Sequence, residues 1–183
     1  MTKNNNNSPG LTTNSILVAY ATRYGSTQEV AEAVAATLRE RGLEVDLQPV
    51  REVKTLDRYT AVVLGAPLYM FRWHKDARRF LSRHREALLN RTVAVFALGP
   101  VQDPHDEKEW QDSRDQLDKE LKEFPWFTPI ALEILGGKFD PADLRFPINV
   151  LAGKAPASDA RDWTAIRAWA RNLAAKLMKP GEK

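Results

Sequence analysis

The chain has 183 residues, of which 43% are hydrophobic and 28% charged, and its net charge is +3. That length suits one domain with a full core, and that balance is the one globular proteins show. There is no cysteine, which excludes disulfides, thiolate metal sites and cysteine nucleophiles and fits a reducing cytoplasm.

Met1 to Asn14 is rich in Asn, Thr and Ser and lacks the apolar centre of a signal peptide, so 1–14 reads as a disordered tail and 15–179 as a single domain. No apolar run is long enough to cross a bilayer. Ser15 to Tyr20 is a short apolar run, the pattern of a buried parallel strand. From Ser26 to Arg41 the spacing turns helical, with Val30, Val34 and Leu38 on one face, a capping-box pair Ser26 and Glu29 at the start, and Gly42 as the stop. Leu43 to Val50 alternates as a strand does. A polar connection, Arg51 to Arg58, leads to Tyr59 to Gly65, a central-strand pattern that Pro67 is expected to end.

Asp76 to Leu89 predicts one helix with Ala77, Phe80, Leu81, His84 and Leu88 facing inward. Arg91 to Leu98 is a continuous apolar strand ended by Gly99 and Pro100. Glu107 to Phe124 predicts a charged helix with a thin stripe of Trp110, Leu117 and Leu121. Phe127 to Leu135 reads as a fifth strand before Gly136-Gly137, and Asp162 to Leu177 as the last helix. Lys138 to Ala160 fits no regular element. Alternating strand and helix implies an α/β fold with a parallel sheet covered on both faces.

The first strand runs into Thr22-Arg23-Tyr24-Gly25-Ser26-Thr27 and then a helix. Unpaired N–H groups and the helix dipole make such a turn an anion site. Gly25 permits a tight turn, and the hydroxyls of Thr22, Ser26 and Thr27 can donate to phosphate oxygens. The loop has neither the lysine of a Walker A motif nor a Gly-x-Gly-x-x-Gly pattern.

Tyr20-Ala-Thr-Arg-Tyr-Gly-Ser-Thr27 resembles the flavodoxin signature, with Ala19 in place of a larger apolar residue, and the similarity in element order extends from Ile16 to Leu177. The chain looks closer to the flavodoxin-like, menaquinone-dependent protoporphyrinogen oxidase group than to electron-carrier flavodoxins. Gly65-Ala66, the Tyr69 to His74 stretch and Asp162-Trp163 add to that likeness. The resemblance implies a flavodoxin-like, doubly wound, five-stranded parallel sheet of order 2-1-3-4-5 that binds FMN.

In such a sheet the ligand lies beyond the carboxyl ends of the strands, at the switch point. The cofactor-binding residues expected are therefore Thr22, Arg23, Tyr24, Gly25, Ser26 and Thr27 around the phosphate. The resemblance places Ala66, Pro67, Leu68, Tyr69, Met70, Phe71 and Trp73 on one side of the flavin ring, and Leu98, Gly99, Pro100 and Val101 on the other. Tyr69, Phe71 and Trp73 are the aromatics able to stack on the ring, and no one of them is singled out.

Arg72 to Arg91 carries seven Arg or Lys against Asp76 and Glu86. Such a run is most often a solvated helix face; as a functional feature it would raise the flavin's reduction potential or dock an anionic partner. The 138–160 segment mixes apolar residues with Lys138, Arg145 and Lys154, a composition that suits a substrate lid, a membrane contact or a plain cap on the sheet. It is shorter than its counterpart in the protoporphyrinogen oxidase group and has three prolines, which sets it apart from that group. His105 among Asp103, Asp106 and Glu107 lacks metal-site spacing, and no serine has a matching His and acid around it. No catalytic side chain is assigned.

The function expected is an FMN-dependent oxidoreductase linked to a quinone or a porphyrinogen. The alternative is an FMN electron-transfer protein that docks on a redox-protein partner without small-molecule turnover. No nucleic-acid recognition motif accompanies the basic helix. A homo-oligomer stays open, as does peripheral contact of this cytoplasmic chain with a membrane.

Overall fold

In the computed structural model residues 15–69, 72–101, 106–143 and 156–178 are described. The strands are β1 (Ser15–Tyr20), β2 (Glu44–Pro49), β3 (Ala61–Tyr69), β4 (Arg72–Trp73), β5 (Thr92–Leu98), β6 (Ala131–Leu135), β7 (Lys138–Phe139) and β8 (Ser158–Asp159). The helices are α1 (Ser26–Glu40), α2 (Lys75–Arg83), α3 (Arg85–Leu89), α4 (Glu107–Leu121) and α5 (Trp163–Met178).

The main sheet runs β2-β1-β3-β5-β6, and every neighbouring pair along that path is parallel. This is the expected order with one addition: the two-residue β4 folds back antiparallel on the end of β3, pairing Leu68 with Trp73. β1 is buried along its whole length, as a central parallel strand must be. One face of the sheet packs Leu17, Leu64, Trp73, Phe80, Leu81 and Leu117 beneath α2 and α4. The other packs Ile16, Val18 and Phe96 against Val30, Val34 and Leu38 of α1 and Ile166 and Leu173 of α5. Each face carries its own apolar cluster, which is the doubly wound arrangement.

Five expectations change. Pro67 does not end β3, which continues to Tyr69. The Gly65 carbonyl faces β1, where it accepts from Ala21 N–H, so by the two-residue period Pro67 faces the same side. There β1 has already ended and His74 takes its place, donating its N–H to the Pro67 carbonyl while its own carbonyl accepts from Ala77 and Arg78, so no carbonyl waits for the missing N–H. The helix expected from Asp76 to Leu89 breaks at His84, although the His84 N–H still bonds to Phe80 and the Leu88 N–H to His84. The Ser26–Glu29 capping box does not form: Gly25 caps α1 in the left-handed conformation at φ +90° without a side-chain bond. The connection after β2 is less polar in effect than in composition, because Val53 and Leu56 are buried in the core. The ends of the 138–160 segment are regular, with β7 pairing antiparallel with β8 and a 3-10 turn at Pro141–Asp143. Residues 144–155 lie outside the described part, as do residues 1–14.

Among the described residues no helix is long and apolar enough to cross a membrane, and no group of His, Asp and Glu is placed to hold a metal ion. Of the His105 cluster, Asp103 and His105 lie outside them.

Candidate functional site

A cavity of about 300 Å³ opens at the carboxyl ends of β1, β3, β5 and β6. Arg23, Tyr24, Ser26 and Thr27 come from the β1–α1 turn. Pro67, Leu68 and Tyr69 end β3, and Leu98, Gly99 and Val101 end β5. The fourth wall is Gly137, Lys138, Phe139, Asp140 and Asp143, which follow β6.

The turn after β1 is built from its own side chains. Thr22 Oγ1 accepts the Gly25 N–H at 3.0 Å, and Gly25 in the left-handed region swings the chain into α1. The first helical N–H groups have no intrahelical partner and no side-chain cap, so they face the cavity end of the turn with the positive end of the helix dipole. Thr27 is fully buried, and its hydroxyl has no hydrogen-bond partner. A buried orphan hydroxyl costs free energy unless a ligand completes it. At a helix start lining a cavity, the group that completes it is an anion rich in acceptors, such as a phosphate.

The apolar part of the cavity is walled by Leu68, Tyr69, Leu98, Val101 and Phe139. Tyr24 and Tyr69 meet edge to face at 6.3 Å, and the Arg23 guanidinium lies 4.7 Å from the Tyr69 ring and 5.4 Å from the Tyr24 ring. Burial, and then the hydrogen bond with Tyr24, raise the Tyr69 phenol, so it stays protonated at neutral pH. The β5 loop is held by backbone bonds on both sides: Gly99 N–H to Leu135 and Gly137 N–H to Pro100. A Cβ on Gly99 would come within 2.7 Å of Ser113 Oγ, so α4 packs against this loop without room for a side chain.

Ten of the expected residues line this cavity together. Thr22, Gly25, Ala66 and Pro100 lie beside it in the same loops, where Thr22 and Gly25 shape the turn. Trp73 does not reach it: the indole is 1% exposed in the core with Phe80 and Leu81, because β4 turns its side chain under the sheet. Of the three aromatics expected to stack, Tyr69 lines the cavity, while Met70 and Phe71 lie outside the described residues. Sequence reasoning missed Gly137, Lys138, Phe139, Asp140 and Asp143. The signal for them was Gly136-Gly137 at the carboxyl end of the fifth strand, which borders the same crevice.

Part of the basic run from Arg72 to Arg91 is paired with acids or carbonyls of the fold. Arg72 and Arg78 close on Glu120, which is buried, at 4.0 and 3.4 Å, and Arg78 also pairs with Glu123. Asp76 takes Arg51 at 2.7 Å and Arg79 at 3.7 Å. Arg91 donates to the carbonyls of Leu56, Tyr59 and Ala87. In the cavity itself Lys138 sits 3.9 Å from Asp140 and 3.7 Å from Asp143.

A family model described as a flavodoxin domain matches residues 17–147. Over 180 residues the chain is 25% identical to a protein named protoporphyrinogen IX dehydrogenase [quinone] from Escherichia coli strain K12, covering 90% of this chain and 97% of that one. A flavodoxin from the domain Archaea superposes with a TM-score of 0.58 at 15% identity, covering 90% of this chain and 99% of that chain. The rubredoxin:oxygen oxidoreductase of Desulfovibrio gigas superposes with a TM-score of 0.54 at 15% identity, over 90% of this chain and 36% of that one. At such identities the structural likeness concerns the fold.

Proposed function

The chain belongs to the flavodoxin-domain family and its cofactor is FMN; on that premise we propose that it is an FMN-dependent oxidoreductase that passes electrons from a porphyrinogen-class donor to a quinone. The observation that carries the site is the buried, unpartnered Thr27 hydroxyl at the head of α1, lining a cavity with apolar walls. It is a cradle for a phosphate with room for a flat ring beside it. The similarity to the Escherichia coli dehydrogenase over nearly the whole of both chains supports the choice of donor and acceptor.

When bound, the flavin supplies the two-electron chemistry. The residues of this chain bind and orient it. The N–H groups of the first turn of α1 and the hydroxyls of Ser26 and Thr27 hold the phosphate. Leu68, Tyr69, Leu98 and Val101 enclose the ring and exclude water from it. Arg23, resting on two tyrosine rings, keeps a positive charge at the cavity. In each cycle two electrons and two protons leave the donor and the same number reach one quinone, so full oxidation of a porphyrinogen, which loses six of each, takes three cycles and three quinones and no other oxidant.

Steady-state oxidation of protoporphyrinogen with a soluble quinone tests this reading. Saturable turnover that needs FMN is the expected result. FMN-loaded protein that turns over neither substrate, yet exchanges electrons with a redox protein, would overturn it in favour of electron transfer by docking.

A further inference from the structure

We infer that Arg161 is a positioning residue for the cofactor: its guanidinium clamps the β7–β8 hairpin, one wall of the cavity, to the helix turn that carries Thr27. This rests on the FMN reading above and adds to it a contact far from the signature loop.

Arg161 follows β8 directly. Its Nε donates to Asp159 Oδ1 at 2.7 Å and its Nη2 to Asp159 Oδ2 at 2.6 Å, a bidentate pair at the end of β8. The remaining Nη1 donates to Glu29 Oε2 at 2.8 Å, across 132 residues of sequence. Glu29 lies on the first turn of α1, two residues beyond Thr27. The guanidinium also lies 4.9 Å from the Trp163 ring at the start of α5. Its side chain is 5% exposed. One rigid fork thus joins three elements, which a lysine's single ammonium cannot do. The pairing holds the Asp159 carboxyl below its usual range, mainly through the side-chain hydrogen bond to Arg161.

The clamp sits where a wall needs holding. β7 and β8 pair through two residues each, Lys138 with Asp159 and Phe139 with Ser158. So short a ladder is not stable by itself. On its β6 side the hairpin is fixed by close packing, since a Cβ on Gly136 would strike the Ala160 carbonyl, and by the Ala160 N–H bond to Gly137 at 2.9 Å. On its α1 side Arg161 supplies the link. With it in place, Lys138 and Phe139 line the same cavity as the phosphate turn.

The test measures FMN dissociation from the full-length holoprotein by flavin fluorescence, beside urea unfolding of the apoprotein. It uses Arg161→Met, Arg161→Lys and Glu29→Gln. The expected result is release faster by roughly tenfold in all three, a difference of about 1.4 kcal/mol, with the urea midpoint of Glu29→Gln unchanged. Arg161→Lys should do no better than Arg161→Met. If Arg161→Met fails to fold, Glu29→Gln decides, because its carboxylate is half exposed and its loss leaves the Asp159 pair intact. Wild-type release rates in Glu29→Gln, or full recovery by Arg161→Lys, would overturn the clamp. Wild-type protein that takes up no FMN would instead remove the cofactor reading beneath it.

Discussion

Thr27 carries opposite consequences for the empty and the loaded protein. Its hydroxyl is buried without a partner, so Thr27→Val keeps the shape and removes an unsatisfied group. The apoprotein should become no less stable in urea. FMN binding should weaken by about 1.5–3 kcal/mol, the contribution of one hydrogen bond to a charged group. Titration of apoprotein with FMN reads the second effect, and equal affinity in the variant would place the phosphate elsewhere. His84 makes a second prediction at this scale. Burial, followed by the nearby Arg83, holds its imidazole below the ordinary value of 6.5, and burial lowers His74 as well. A group depressed on folding contributes stability above its unfolded value and loses it as pH falls through the folded one. Urea midpoints should therefore drop as pH is lowered from about 7.5 to about 5.5. His84→Gln should flatten part of that slope, His74 supplying the rest. An unchanged slope in the variant would show that His84 is not held neutral.

At the scale of elements, β3 and β5 meet without spare volume. A Cβ added to Gly65 would come within 2.0 Å of Phe96 Cζ, whose ring itself packs edge to face on Trp169 at 5.7 Å. Gly65→Ala should cost about 1–3 kcal/mol by overpacking, read from urea unfolding, and Gly65→Ala with Phe96→Leu should recover part of it. No recovery in the double variant would mean that the strain lies in the backbone. The order of β1, α1, β2, β3, β5, α4, β6 and α5 was legible because their periodicities are strong: apolar runs for the buried strands and i, i+4 spacing for the helices. The break at His84 was not, since Phe80, His84 and Leu88 keep one continuous face across it and neither proline nor glycine marks it. Pro67 misled because what a proline costs in a strand depends on whether a neighbouring carbonyl needs its N–H, and the His74 carbonyl beside it is already taken by Ala77 and Arg78. Within the site, the signature loop was legible from hydroxyls and one glycine at fixed spacing. The wall at 137–143 was not, because two-residue strands carry no period and Arg161 finds Glu29 only after folding.

For the whole molecule, a net charge of +3 suggests a basic docking face, and the ion pairs reduce it. Arg78 and Arg91 are engaged within the fold, Arg72 and Arg79 reach buried acids while staying 72% and 75% exposed, and Lys138 in the cavity lies beside Asp140 and Asp143. A neutral quinone offers a surface field no charge to steer, so its kcat/KM should change less than about twofold between roughly 0.05 and 0.5 M ionic strength, where the Debye length contracts several-fold. A steep fall with salt would point to an acidic partner steered onto the surface. Beneath every one of these readings lies the phosphate turn after β1. Titrating the apoprotein with FMN and, side by side, with riboflavin tests that turn most directly, because the two ligands differ in the phosphate alone. FMN should bind tighter by on the order of 100-fold or more, as expected for two or more charge-assisted hydrogen bonds. Equal affinity for the two would contradict the assignment of this turn as the cofactor's anchor.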